Sequence, residues 1–396
     1  MTRPLDHRSD ETGFRIALRD WLADVLPADW QARMTGASEA EFVAFQRQWL
    51  DAMRAVGLDT PHWPKAWGGS ELTLREQIIL YEELARASAP LADLFVISLY
   101  HLPATLFAHG TAAQQARYLG GVRERGEIWC QGFSEPGAGS DLASLRTKAE
   151  RRGDVYVVNG QKIWSSWGMF ADYCLLLART DPDAKKQLGI SYFILDMKTP
   201  GITVRPIRQI SGEAEFAEIF FDDVEIPVEN LIGAENAGWQ IAQSTLTAER
   251  GLAIFDYAQR MEARMRLDLE AGRETWLKDV GHAREYARFW AEARAVRLMI
   301  RQMLAEIAED PKAGGMVITT YIKLRWATLL QDYSEFMIRM AGLAGQIATP
   351  PMLGGGHQTG VAMMDFMRNY GWTIAGGSNE IMRNVIAERF LEMPRG

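Results

Sequence analysis

The 396-residue sequence has few of the residues from which metal sites and disulfide frameworks are built. It contains two cysteines, Cys130 and Cys174, and six scattered histidines. Two thiols are too few for a disulfide scaffold or a thiolate metal cluster, and no histidine pair has metal-ligand spacing. We therefore expect no metal, and the sparse cysteine is typical of a reducing cytoplasm.

Long apolar runs and excess positive charge are also lacking. A run such as LADLFVISLY is much shorter than the roughly 20 residues of a membrane-spanning helix. The first residues, MTRPLDHRSDETGF, contain no apolar stretch, so we expect neither a signal peptide nor a membrane anchor. The formal net charge of −8 argues against binding to nucleic acid or to an anionic membrane.

Several common catalytic motifs do not occur. The sequence has no G-x-S-x-G nucleophile elbow, no P-loop, and no G-x-G-x-x-G after a predicted strand. These absences argue against a serine hydrolase, a P-loop nucleotidase and a Rossmann dinucleotide site.

Hydrophobic periodicity divides the sequence into three regions. Residues 1–125 show helical patterns such as TLREQIILYEELARAS, and residues 126–237 show short β-branched runs such as DVYVVNG and SYFILDM. Residues 238–396 are helical again, with a Gly- and Pro-rich loop predicted at AGQIATPPMLGGGHQTG. We predict an α+β protein, mostly α: an N-terminal helical domain, a central antiparallel β-barrel or sandwich, and a C-terminal four-helix bundle.

The densest motif is WCQGFSEPGAGSDLASLRTKAE, residues 129–150. Hydroxyls and backbone N–H groups around its glycines would suit a phosphate or carbonyl oxygen. The alternative is an ordinary Gly-Pro connection between strands.

Two further motifs support a ligand site. In NGQKIWSSWG, Trp164 and Ser166 are two residues apart and would share a strand face, where an indole and a hydroxyl suit a flat heterocycle; the alternative is a core aromatic. In TIAGGSNEIMR, Gly376 and Gly377 precede Ser378, a predicted N-cap whose helix could attract an anion; the alternative is a helix–helix turn.

These motifs together resemble the acyl-CoA dehydrogenase family. GFSEPGAGSDLAS is similar to its first signature, NGQKIWSSWG to its flavin-face strand, and GWQIAQSTLTAERG to its first C-terminal bundle helix. WPKAWGGSEL and YEELAR resemble its N-terminal domain, and IAGGSNEIMRNVIAERFL its C-terminal signature. These six stretches occur in the family's order over nearly the whole chain.

The resemblance implies a non-covalent FAD, an acyl-CoA substrate, an electron-transfer flavoprotein as electron acceptor, and a homodimer or homotetramer. Gln131, Phe133, Ser134, Trp164 and Ser166 would contact the flavin, and Gly139 and Ser140 the pyrophosphate or the substrate's pantetheine arm. Arg273 and Trp276 would reach a neighbouring subunit's FAD, although Arg273 could equally be a solvated loop residue. Ser378, Asn379 and Glu380 would meet the adenosine-side phosphates.

The family's chemistry requires a carboxylate that removes the substrate's α-proton. Many members hold it immediately before a Gly-Thr pair, where this sequence has Gly376, whose backbone N–H is expected to contact the thioester carbonyl. Isovaleryl- and long-chain-type relatives instead place a glutamate before an arginine on the first bundle helix. TLTAERGLA then assigns the base to Glu249, with Thr247 and Arg250 near the substrate; without the resemblance, a solvated Glu-Arg pair would be the simpler interpretation.

The loop at 345–357 departs from the family's Gln-x-x-Gly-Gly-x-Gly stretch, which contacts FAD adenine across a subunit interface. Some bacterial relatives with such a loop pair a catalytic chain with a flavin-poor chain, so a heterotetramer is also compatible with the sequence. The same fold could serve a flavin oxidase or monooxygenase, a carrier-protein thioester dehydrogenase, a partner subunit, or a DNA-associated relative, against which the acidic charge argues. Absence of a carboxylate at Gly376 leaves room for a branched, aromatic or polycyclic acyl group.

Overall fold

The computed structural model describes residues 3–249, 252–309, 316–347, 350–354, 356 and 359–394. The side chains at 244, 246–249, 252, 253, 308, 316 and 317 also lie outside the described part of the chain.

The helices occupy both ends of the chain. They are α1 (Glu11–Val25), α2 (Trp30–Met34), α3 (Glu39–Ala55), α4 (Leu74–Arg86), α5 (Leu102–His109), α6 (Ala112–Gln114), α7 (Gly120–Arg125), α8 (Gly238–Glu249), α9 (Leu252–Gly272), α10 (Val280–Glu309), α11 (Met316–Ala341), α12 (Ala362–Asn369) and α13 (Asn379–Arg389).

The strands lie between α7 and α8. They are β1 (Trp129–Gly132), β2 (Lys148–Arg152), β3 (Val155–Ser166), β4 (Tyr173–Arg179), β5 (Ile190–Asp196), β6 (Ile202–Ile207), β7 (Phe216–Pro227) and β8 (Leu231–Ile232). They form one sheet in the order β6-β7-β3-β2-β4-β5-β8, with β1 beside β4. The β1–β4 and β2–β4 pairings are parallel and the others antiparallel.

The order of helices, sheet and helices confirms the predicted fold class. Among the described residues, the pairings run from β6 to β8 without a bond between these two strands, so the sheet is open at those edges. The predicted loop at 344–360 contains no strand or α-helix among its described residues.

The chain divides into two compact units. A helical unit comprises Met1–His62, Ser70–Leu91 and Arg250–Gly396, and a sheet unit comprises Trp63–Gly69 and Ala92–Glu249. This division is not the three-domain division at 125 and 237, which stays a prediction.

Local sequence explains where the helices of the helical unit begin. Ser38 accepts a hydrogen bond from the Glu41 N–H, and the Glu41 carboxylate accepts one from the Ser38 N–H. Thr73 and Glu76 form the same reciprocal pair before α4. Such capping boxes satisfy N–H groups that the first helical turn leaves without partners.

Each unit has its own apolar core. In the helical unit, residues from α1, α3 and α4 pack with α9, α10 and α11, including the fully buried Phe14, Phe255 and Phe336. In the sheet unit, the side chains of β4 and β5 are buried almost throughout, not alternately. Both faces of these two strands are therefore covered, as is typical of the middle of a sheet.

Candidate active site

Strand β1 positions the first group of predicted site residues in the sheet unit. Gln131 Nε2 lies 2.6 Å from Nδ1 of the buried His101. The ring of Phe133 packs edge-to-face on Tyr192, with 5.6 Å between centroids. The Ser134 carbonyl accepts a hydrogen bond of 2.9 Å from the Ile163 N–H, which joins the segment after β1 to the residue preceding Trp164.

A buried ion pair anchors the loop that follows β1. Glu135 Oε1 lies 2.8 Å from Lys162 Nζ, and the two side chains are 8% and 0% exposed. The same carboxylate accepts backbone hydrogen bonds from Arg146 and Thr147, at 2.6 and 2.9 Å. Lys162 also donates to the Phe133 carbonyl at 2.9 Å, so this pair ties both ends of the loop to β3.

The surroundings of the pair change both pKa values. Burial raises the pKa of the Glu135 carboxyl, but the charge and hydrogen bond of Lys162 and the backbone donors outweigh it, and the pKa is lowered. Burial lowers the pKa of Lys162, against the opposing attraction of Glu135. Both charges are thus paired and hydrogen-bonded, which buried charges require.

Side chains from outside the loop hold its remaining residues in place. Arg179 donates to the carbonyl oxygens of Ala143 and Leu145, at 2.7 and 3.0 Å. The Asp141 carboxylate accepts from Lys186 at 2.7 Å and from the Ser144 hydroxyl. These contacts fix the loop backbone before any ligand arrives.

The tip of this fixed loop is open. A Cβ atom added to Gly137 or Gly139 would meet no described atom within 4 Å, and Ser140 is exposed. Because the loop is already fixed and its glycines have no side chains, its backbone can approach a ligand closely with little loss of conformational entropy.

Trp164 occupies an irregular position in β3. The register of β3 against β7 shifts between Lys162 and Ser165, which marks a bulge. Trp164 has a φ of 64°, a left-handed conformation that a bulky residue rarely adopts, and its side chain is 54% exposed. The strand alternation from which Trp164 and Ser166 were predicted to share a face therefore does not run through Trp164.

Ser165, between these two residues, is fully buried. Its Oγ has no hydrogen-bond partner among the described residues. The left-handed backbone of Trp164 and the unbonded hydroxyl of Ser165 each cost folding free energy. Such costs are typical of functional sites.

The C-terminal motif lies in the helical unit. Gly376 and Gly377 have φ angles of 65° and 98°, and a Cβ added to Gly376 would meet no described atom within 4 Å. Ser378 caps α13 by accepting from the Ile381 N–H at 3.3 Å, which confirms the predicted N-cap. Buried Lys323 donates to the Gly377 carbonyl at 2.5 Å and to Asn379 Oδ1 at 3.3 Å.

The other predicted residues of the helical unit differ in their surroundings. Glu380 is exposed and pairs with Arg383. Arg273 is exposed and pairs with Glu270. Trp276 packs within its own unit, with ring centroids 5.5 Å from those of Tyr286 and Phe336. Of the Arg273–Trp276 pair, the arginine is the one that faces solvent.

Three predicted residues fall outside the described part. These are the side chains of Thr247 and Glu249 and the whole of Arg250. The backbone of α8 continues to Glu249.

Sequence reasoning missed four residues that hold the candidate segments in place, three in the sheet unit and Lys323 in the helical unit. Glu135, Lys162, His101 and Lys323 are all at most 8% exposed. A lysine inside the otherwise strand-like run GQKIW was the available signal, because lysine is rarely buried without a partner. Nothing in the local sequence of His101 or Lys323 indicates its contact.

Metal and membrane features were also searched for in the described ranges. There, no three His, Cys, Asp or Glu side chains form a group that could hold a metal ion. Among the described helices, none combines the length and the apolar character that crossing a membrane requires.

Comparison with family models identifies three consecutive matches. The model for the acyl-CoA dehydrogenase N-terminal domain matches residues 9–125, that for the middle domain 130–224, and that for the C-terminal domain 236–391.

Individual relatives match over similar lengths. Acyl-CoA dehydrogenase IpdE1 of Mycobacterium tuberculosis is 39% identical over 393 residues, covering 98% of each chain. Among solved structures, the Tcur3481–Tcur3483 steroid ACAD has a TM-score of 0.85 and 28% identity, covering 98% of each chain. The ChsE4–ChsE5 complex from Mycobacterium tuberculosis has a TM-score of 0.82 and 27% identity, again covering 98% of each chain.

Proposed function

Because the chain belongs to the acyl-CoA dehydrogenase family of flavoenzymes, we propose that it binds FAD and converts an acyl-CoA thioester to the 2-enoyl thioester. The observation that carries this proposal is the loop from Glu135 to Leu145. It is anchored by a buried ion pair, open at Gly137 and Gly139, and joined through Ser134 to the segment before the exposed Trp164.

The residues of the sheet unit fit a flat, polar cofactor. Gln131, Phe133, Ser134, Trp164 and Ser166 would hold the isoalloxazine, and Gly139 and Ser140 the pyrophosphate or the pantetheine arm. The open loop tip, the exposed indole and the unsatisfied Ser165 hydroxyl support this fit. Bound FAD supplies the acceptor for the hydride that leaves the substrate's β-carbon.

The other predicted contact residues belong to the helical unit. Ser378, Asn379 and Glu380, at the start of α13, would meet the adenosine-side phosphates, because a helix N-terminus favours negative charge. Arg273 and Trp276 would reach the FAD of a neighbouring subunit. The exposure of Arg273 agrees with this role, whereas Trp276 would support it from within the core.

Glu249 would remove the α-proton, with Thr247 and Arg250 beside the substrate. Gly376 has no side chain and cannot serve as a base, and its backbone N–H would polarise the thioester carbonyl. Polarisation of the thioester carbonyl makes the α-proton more acidic.

The acyl group that we propose is bulky: branched, aromatic or polycyclic. The space around Gly376 and the similarity to a steroid ACAD support this class. Anaerobic titration with a panel of acyl-CoAs, following loss of the flavin absorbance, tests it. Preference for short straight chains would contradict it.

Electrons would pass to an electron-transfer flavoprotein, within a homodimer, a homotetramer or a heterotetramer with a second dehydrogenase-like chain. Two of the similar solved structures are named as pairs of proteins, which supports the heterotetramer. Oxygen consumption exceeding reduction of an artificial acceptor would instead indicate a same-fold oxidase. Purification without bound flavin would favour a partner subunit.

The decisive experiment on the base is Glu249→Gln, an isosteric change that removes the acid–base group. We expect FAD to stay bound while acyl-CoA reduces it at least ~100-fold more slowly, the lower end of what general acid–base catalysis contributes. Glu225→Gln, on the exposed face of β7, is the matched control and should reduce FAD normally. Rapid flavin reduction by Glu249→Gln would refute the assignment.

A further inference from the structure

His101 is a buried histidine that the proposed chemistry does not use. It ends the π-helical turn Ile97–His101, which leads into α5, and is 3% exposed. The Thr105 hydroxyl donates to its carbonyl oxygen at 2.8 Å. π-helical turns are rare and occur often at functional sites.

The contact between His101 and Gln131 links a protonation state to an orientation. An amide NH2 group only donates, so His101 Nδ1, 2.6 Å from Gln131 Nε2, must accept. With the amide oriented in this way, Nδ1 is the accepting nitrogen, and Gln131 Oε1 is the amide atom that is not bonded to His101. A proton on Nδ1 would require the amide to be reversed, with its NH2 group pointing away instead.

We propose that His101 is a positioning residue, which orients the Gln131 amide so that β1 offers a carbonyl oxygen to the bound cofactor. The pyrimidine edge of an isoalloxazine carries one N–H between two carbonyl groups. An acceptor on Gln131 recognises the N–H, whereas a donor would recognise a carbonyl. The inference rests on the proposed function, because it needs FAD beside Gln131.

The residues that follow this strand are fixed by other means. Phe133 packs on Tyr192, and the Ser134 carbonyl is bonded to Ile163. Neither contact depends on the protonation of a side chain. His101 therefore determines the polarity at one position of the cofactor surface.

The test combines four variants: His101→Leu, which removes the acceptor; His101→Asn, whose Oδ1 can replace Nδ1; Gln131→Leu; and the His101→Leu/Gln131→Leu double variant. The readouts are the FAD dissociation constant of the apoprotein, the flavin midpoint potential, and the apoprotein's thermal unfolding. We expect His101→Leu to weaken FAD binding about threefold to tenfold, the effect of losing one well-oriented hydrogen bond, and to shift the potential. His101→Asn should stay within about twofold of wild type.

The double variant distinguishes positioning from a separate structural effect. If His101 acts through Gln131, the double variant binds FAD no more weakly than Gln131→Leu alone. The inference would be overturned if the double variant weakened FAD binding by the product of the two single effects. It would also be overturned if His101→Asn weakened FAD binding as much as His101→Leu. If His101→Leu does not fold, His101→Phe replaces it in the same cycle, with the same deciding outcomes.

The flavin content separates this inference from the proposed function. A wild-type protein that binds no FAD refutes both. One FAD per chain, with wild-type affinity and potential in His101→Leu, refutes only the role of His101.

Discussion

Replacing Lys162 by methionine tests the anchor of the candidate flavin loop. Methionine keeps most of the apolar length of lysine and removes the ammonium group. Glu135 would then lose its counter-charge, and the Phe133 carbonyl its donor. Both partners are buried, so water could not replace the lost bonds without opening the loop.

The expected cost is large because the charge that is left behind is buried. Removing one member of a buried pair typically destabilises a protein by about 3–5 kcal/mol. The backbone N–H groups of Arg146 and Thr147 still contact the carboxylate. We therefore expect a destabilisation in the lower half of this range, about 3–4 kcal/mol. Weaker FAD binding should accompany the loss, because Phe133 and Ser134 precede the anchor.

The loss should depend on pH. In the wild type, the pKa of Glu135 is lower in the folded than in the unfolded protein. Its contribution to the free energy of unfolding is therefore present above the unfolded-state pKa, and it is lost as the pH falls through the folded-state pKa. In Lys162→Met, burial remains without the compensating charge, so the Glu135 pKa should rise above its unfolded value and the variant should gain stability on acidification. The two stabilities should therefore converge as pH falls from 7 toward ~4.3, the ordinary pKa of glutamate.

Urea denaturation measures the difference in the free energy of unfolding between the wild type and Lys162→Met. Protein and FAD concentrations are kept fixed, because a cofactor that only the folded chain binds shifts the midpoint. Lys148→Met is the matched control: Lys148 pairs with Glu150 at the same 2.8 Å, but its side chain is 55% exposed. We expect it to cost less than about 1 kcal/mol. Lys162→Met/Glu135→Gln should recover much of the loss, because no buried charge remains. A cost below about 1 kcal/mol for Lys162→Met, or a difference unchanged between pH 7 and 5, would refute the reasoning.

Three further predictions concern single sites. Trp164→Gly should keep or raise apoprotein stability, by up to about 1 kcal/mol through relief of the left-handed φ, yet weaken FAD binding; a clear loss of thermal stability would contradict this. Lys323→Met should lower turnover on the order of tenfold with FAD still bound, because the 377–379 segment loses its support, whereas the exposed Lys278→Met should not. Burial raises the pKa of Asp365 to about 6, so its contribution to stability is present below the unfolded-state value and lost as pH rises through 6; Asp365→Asn should remove that fall from thermal unfolding curves recorded between pH 4 and 7.

Sequence reasoning succeeded where neighbouring residues determine structure. The helical run TLREQIILYEELARAS became α4, and the predicted cap at Ser378 begins α13. Capping and periodicity involve contacts within about four residues, so they can be recognised in the sequence itself. The alternation argument at Trp164 failed for a different reason, since a bulge depends on the pairing between β3 and β7.

The sequence alone determined the order of helices, sheet and helices, the family resemblance, and the absence of a side chain at Gly376. Only the tertiary structure decided which groups hold these motifs in place: Lys162 against Glu135, His101 against Gln131, and Lys323 against Gly377. These partners are 27, 30 and 54 residues apart in the chain. Their contacts form when burial removes water and each polar group must find a partner wherever the fold places one, which no local pattern records.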